Sequence, residues 1–80
     1  MKLAEWNETL KYAKEKASAL DESIIVSSYK MYEGKMGISF RVFDCFGTLF
    51  KEFYTGINKT KEEFISAIDR QIERIKTEVL

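Results

Sequence analysis

A chain of 80 residues, 45% hydrophobic and 14% aromatic, can bury a core and has the length of a single domain spanning residues 1–80. Thirteen Lys+Arg balance thirteen Asp+Glu, which excludes a basic nucleic-acid binder or an acidic mimic read from net charge alone. The lack of His excludes His-based acid–base chemistry and His metal ligation. The single Cys excludes an intramolecular disulfide and suits a reducing, cytoplasmic compartment.

No apolar run reaches the ~20 residues of a membrane span, and the early acids Glu5 and Glu8 do not fit a signal peptide. Along residues 2–20, Leu3, Trp6, Leu10, Ala13, Ala17 and Leu20 recur at spacings of three and four. That is one stripe of an amphipathic helix, ended by Asp21, Glu22 and Ser23. Three β-rich runs follow, 24–33, 38–43 and 48–55, separated by Gly34-Lys35-Met36-Gly37 and Asp44-Cys45-Phe46-Gly47. Near the end, Ile65, Ile68, Ile72, Ile75 and Val79, widened by Phe64, repeat the helical stripe. Thr60 followed by Glu63 is a capping-box signature at its start. Each stripe is under three heptads long, so it reads as a helix facing its own core and not as a coiled-coil seam.

Both separators read as four-residue hairpin loops, which sets a register. The first pairs Met31 with Phe40 and Tyr29 with Val42; the second pairs Val42 with Leu49 and Ile38 with Phe53. Together they nominate one inner face: Ile25, Tyr29, Met31, Ile38, Phe40, Val42, Leu49 and Phe53. Lys51 is the misfit, expected near an edge or snorkelling. The expected architecture is an α+β two-layer sandwich of order α-β-β-β-α, a three-stranded antiparallel meander with both helices on one face.

The outer face then carries Val26, Ser28, Lys30, Tyr32, Ser39, Arg41, Phe43, Thr48, Phe50, Glu52 and Tyr54, with Lys30, Arg41 and Phe50 in one row. Four aromatics lie where solvent would select polar residues. Lys30, Tyr32, Arg41, Phe43, Phe50 and Tyr54 are therefore the candidate binding residues, of types common at interface hot spots.

One local pattern points to chemistry. Val42 to Phe50, a hydrophobic strand running into Asp-x-x-Gly-Thr-Leu, resembles the first motif of the haloacid dehalogenase superfamily. The resemblance implies Asp44 as nucleophile with Thr48 at the motif's Thr, and a doubly wound parallel sheet. It covers nine residues; the phosphatase version's second acid position is Phe46, and the 32 residues after Thr48 read as one strand and one helix. Asp44 is left without a general acid, a metal shell or a phosphate clamp, so no catalytic residue is expected. In a purely structural role, Asp44 opens a turn and Gly47 supplies a positive φ. No metal site or cofactor is expected either, with one Cys, no His and no Gly-rich nucleotide cradle. The Asn-x-Thr matches at Asn7 and Asn58 would matter only in a secreted chain, and Cys45 reads as a free thiol on a loop tip.

The expected function is a small non-enzymatic protein-binding module. It would act through its aromatic outer face, either on a second copy of itself or by covering a site on a partner protein. Usage heavy in Lys, Ile, Glu and Phe, with no Pro or His, fits an AT-rich bacterial or phage genome, and a phage-type inhibitor of host machinery is one form such a module would take. The alternative is single-stranded nucleic-acid binding on the same face, with Lys30 and Arg41 beside stacking aromatics. Zero net charge and Glu52 within the patch count against it.

Overall fold

The computed structural model describes the backbone of residues 1–80 and every side chain except that of Tyr32. Helix α1 spans Leu3–Leu20, strands β1 Ile25–Lys30, β2 Met36–Phe43 and β3 Leu49–Tyr54 follow, and helix α2 spans Lys61–Glu78. The strands form one antiparallel meander in the order β1-β2-β3. Both helices lie on the same face, as the sequence implies.

The helix boundaries have local causes. The Glu5 carboxylate accepts from the Lys2 N–H at the start of α1, and Asp21 ends the helix by accepting from the Ser23 amide at 2.9 Å and its hydroxyl at 2.8 Å. At α2, Thr60 Oγ1 accepts from the Glu63 N–H at 3.2 Å. Glu63 reaches back one residue further than a capping box requires and accepts from the Lys59 N–H at 3.0 Å.

The core forms where the two stripes meet one side of the sheet. Ile24 just before β1 joins Ile38, Phe40, Val42 and Phe53 of the sheet, and Phe64, Ile68, Ile72 and Ile75 come from α2. From α1 only Ala13 and Ala17 are buried with them, flanked by Thr9, whose hydroxyl donates to the Glu5 carbonyl at 2.7 Å. These small residues let α1 lie close against its neighbours. Trp6, Leu10, Tyr12 and Leu20 pack around the margin, and Leu3 is 74% exposed, outside the core that its stripe predicts. Tyr12 donates to Asp69 at 2.6 Å and Lys61 pairs with Glu8, tying α1 to α2.

The register differs from the sequence reading, with opposite consequences at the two hairpins. Between β1 and β2, Val26 faces Phe40, Ser28 faces Ile38 and Lys30 faces Met36. The loop is residues 31–35, closed by the Met31 N–H donating to the Lys35 carbonyl at 2.8 Å, with Glu33 and Gly34 both at positive φ. Gly37 is not a loop residue at all but lies within β2. The net shift is five residues, an odd number, so β1 is inverted. Val26, Ser28 and Lys30 share the helix side with Phe40, while Ile25 and Tyr29, expected inside, lie on the other face.

Between β2 and β3, Phe40 faces Phe53, Arg41 faces Glu52 and Val42 faces Lys51. The loop runs 44–48, one residue longer than expected, and a bulge near Phe43 adds one more. The shift is two, an even number, and the faces of β3 survive. Leu49, expected inside, faces Phe43 at the bulge and is 45% exposed.

Lys51 emerges at the sheet edge, as expected for the misfit, and pairs with Glu78 in the last turn of α2. Arg74 Nε donates to the same carboxylate at 2.8 Å, and its guanidinium lies 5.1 Å from the centre of the Phe53 ring. An acid at a helix C-terminus opposes the helix dipole, so the two cations hold it there. Arg74 first and Lys51 second pull the Glu78 carboxyl down to about 2 from 4.5.

The stability this carboxylate contributes is therefore present above pH ~4.5 and is lost as pH falls toward ~2. Carbon-detected NMR titration of Glu78 should show a midpoint near the lower value. Arg74→Gln should raise that midpoint further than Lys51→Gln. An unshifted midpoint in both variants would break the assignment.

Candidate functional site

The face away from the helices carries Ile25, Ser27 and Tyr29 from β1, then Gly37, Ser39, Arg41 and Phe43 from β2. From β3 it takes Phe50, Glu52 and Tyr54. Neither helix packs on it.

Its two ends differ. At one end the rings of Tyr29 and Tyr54 meet edge to face, centroids 5.4 Å apart at 87°. They come from the two outer strands, which lie roughly 10 Å apart across β2, so both rings lean in over the central strand. Ser39, between them, is only 3% exposed, and its hydroxyl is 3.1 Å from that of Ser27. The Tyr54 hydroxyl donates to Glu52 at 2.6 Å, and that carboxylate holds the phenol pKa above its ordinary value.

Gly37 makes this arrangement possible. A Cβ on it would lie 2.4 Å from Tyr29 Cζ, closer than any real contact. The strand glycine is roofed by a cross-strand aromatic, which returns some of the packing that glycine lacks.

The other end is open. Phe50 is 60% and Ile25 50% exposed, and Phe43 is half-buried. Arg41 lies between Ile25 and Glu52, its Nε 3.8 Å from the Glu52 carboxylate. The pair is loose and wet, and contributes little to stability by itself.

Of the six residues the sequence nominates, Arg41, Phe43, Phe50 and Tyr54 do share this face. Lys30 does not: the inverted register puts it on the helix side at the end of β1, and the row across the sheet is Ile25–Arg41–Glu52. The backbone of Tyr32 sits in a short 3-10 turn, Tyr32–Gly34, and not in a strand; its side chain lies outside the described residues. Ile25 and Tyr29 are the residues missed. Gly37 is the available signal, because a glycine directly before a β-rich run can sit in the strand beneath an aromatic as well as in a loop.

Asp44 caps its own turn. Its Oδ1 accepts from the Phe46 and Thr48 amides, both at 2.9 Å, and Gly47 takes φ +79°. The meander around it is antiparallel, unlike the parallel sheet that the haloacid dehalogenase motif implies. Cys45 is exposed on the same loop. Among the described residues no group of three or more acids and Cys converges as metal ligands, and no helix is long and apolar enough to cross a membrane.

No protein-family model matches the chain, and no curated protein and no solved structure matches it.

Gly37→Ala should force the Tyr29 ring off the sheet and cost ~1–3 kcal/mol, the usual size of an overpacking penalty. In a Tyr29→Ala background the same change should be neutral or stabilising, since alanine removes glycine's entropic cost of ~0.5–1 kcal/mol in a strand. Denaturant midpoints of the four chains in this cycle measure the coupling. Additive costs would mean the ring does not lie on Gly37.

Proposed function

We propose that the chain is a non-enzymatic binding module whose working surface is the open end of the uncovered sheet face, and that its occupant is a second copy of the chain. The observation that carries this reading is the placement of exposed Phe50 and Ile25 around one Arg and one carboxylate on a face with no layer over it. A surface bearing one charge of each sign side by side complements itself. Two sheets packed face to face about a two-fold axis along the strands bring Arg41 of each copy toward Glu52 of the other.

The area sets the strength. Three strands of six to eight residues present a footprint of roughly 350 Å² at ordinary strand spacings. That is well below the ~800 Å² per partner of a stable interface. Association is then weak and depends on concentration, with Phe50 and Phe43 as its anchors.

Sedimentation across a low-micromolar to millimolar series should show reversible dimerisation. R41E and E52R should each weaken it, because one makes the row all acid and the other all base. An equimolar mixture of the two variants should associate again. Phe50→Ser should cost ~2 kcal/mol of association with its melting point kept. A monomer throughout the series would overturn the second copy as occupant. Binding to a single-stranded oligonucleotide with a steep salt dependence would assign the face to nucleic acid instead.

A further inference from the structure

The end of the sandwich where α1 begins holds a cleft of about 420 Å³. It lies between the first turns of both helices, the start of β2 and the segment leading into α2. Its apolar wall is Leu3, Trp6, Met36, Ile57 and Phe64, with Trp6 and Phe64 edge to face at 5.2 Å. A second cleft of about 530 Å³, reaching Met31, shares Lys35, Ile57, Asn58 and Lys59 with it, so the two form one elongated groove. The apolar residues along it are unfinished core: Leu3 is 74% exposed, and Met31 and Ile57 about two-fifths exposed.

The charges along this groove have one sign. Lys35 and Lys59 line both parts, and neither part has an acidic lining residue. Two other clefts differ, one mixing Lys16 and Lys76 with Asp69 and Glu73, the other Arg70 with Glu62 and Glu63. In a chain of zero net charge, this segregation sets the groove apart. Lys35 has only a loose partner, Glu33 at 3.8 Å on an exposed pair. Lys59 makes no ion pair among the described residues.

We propose that this groove binds an amphiphilic monocarboxylate, its hydrocarbon tail along Trp6, Met36 and Ile57 and its carboxylate between Lys35 and Lys59. Apolar walls with a few polar groups that fix orientation are the usual make-up of a small-ligand site, and the volume lies in the usual range of ~300–1,000 Å³. Two lysines outweigh the single negative charge of a carboxylate and can each meet one of its oxygens. Glu62 and Glu63 line the neighbouring cleft and not this groove, but the Glu63 carboxylate sits on the Lys59 N–H, and this negative charge beside Lys59 disfavours a more highly charged head such as a phosphate ester.

This inference does not depend on the sheet face. Trp6 is the only tryptophan, so its emission reports the groove directly. Decanoate, used below its micellar concentration, should give a saturable blue shift of Trp6. Propionate, which lacks the tail, and decanol, which lacks the charge, should each bind at least about tenfold more weakly. Lys35→Gln/Lys59→Gln should weaken decanoate by a similar factor with the melting point unchanged, and Leu3→Asp should weaken it through the apolar wall. Vesicles carrying embedded long-chain carboxylate separate a membrane source from a free ligand: a shift with decanoate alone assigns the free acid. No saturable Trp6 change into the millimolar range would overturn the proposal. So would equal affinity for decanol and decanoate, or an unaffected double-lysine variant.

Discussion

Two helices of eighteen residues can cover one face of a three-stranded sheet, and everything else in this molecule follows from that coverage. The five buried apolar residues at the sheet, Ile24, Ile38, Phe40, Val42 and Phe53, sit on one side because only that side has a layer to meet. The opposite side has to be managed by its own side chains. Tyr29 and Tyr54 fold over Gly37 and Ser39 and close one end of it. Among the described residues nothing comparable closes the end with Ile25, Arg41, Phe43 and Phe50. A chain free to place polar residues there instead presents large apolar ones around a charge pair.

The same economy explains the groove at the end of the sandwich. Helix α1 contributes alanines and a threonine where it runs closest to its neighbours, and its bulky residues are pushed to the margins. Trp6 stands at the margin and Leu3 projects beyond it. The lysines of the β1–β2 loop and of the approach to α2 then border apolar surface that no element fills. Packing two helices tightly on one face leaves the ends of the layer open, and the ends are where this chain has unused hydrophobic area.

The sequence is legible where a period is long and unlike its competitors. Both helices, their stop at Asp21 and start at Thr60, the order of elements and the turn chemistry of Asp44 and Gly47 all read directly from residue types and spacing. Register is less legible, because it depends on the parity of loop length. At the second hairpin the expected and observed pairings differ by two residues, so Phe53 stays inside and Phe50, Glu52 and Tyr54 stay outside. At the first hairpin they differ by five, and β1 is turned over. Residues 24–26 are three consecutive branched apolar residues, so no alternation was present to expose the inversion. Gly37 looks like turn punctuation in sequence but belongs to the strand, where Tyr29 lies on it. That contact is between distant residues and leaves only a lone glycine as its trace. Arg41, Phe43, Phe50 and Tyr54, on β2 and β3, thus lie on the uncovered face as the alternation implies, whereas Lys30 on β1 lies on the helix side and Tyr32 falls in a turn.

The association proposed above runs through the open end of the uncovered face. Amide chemical shifts recorded across a dilution series test it residue by residue. Dilution-dependent shifts should be confined to Ile25, Arg41, Phe43, Phe50, Glu52 and their strand neighbours, with α1 and α2 silent. Shifts that leave the sheet unchanged and concentrate on the helices, or none at any concentration, would contradict it.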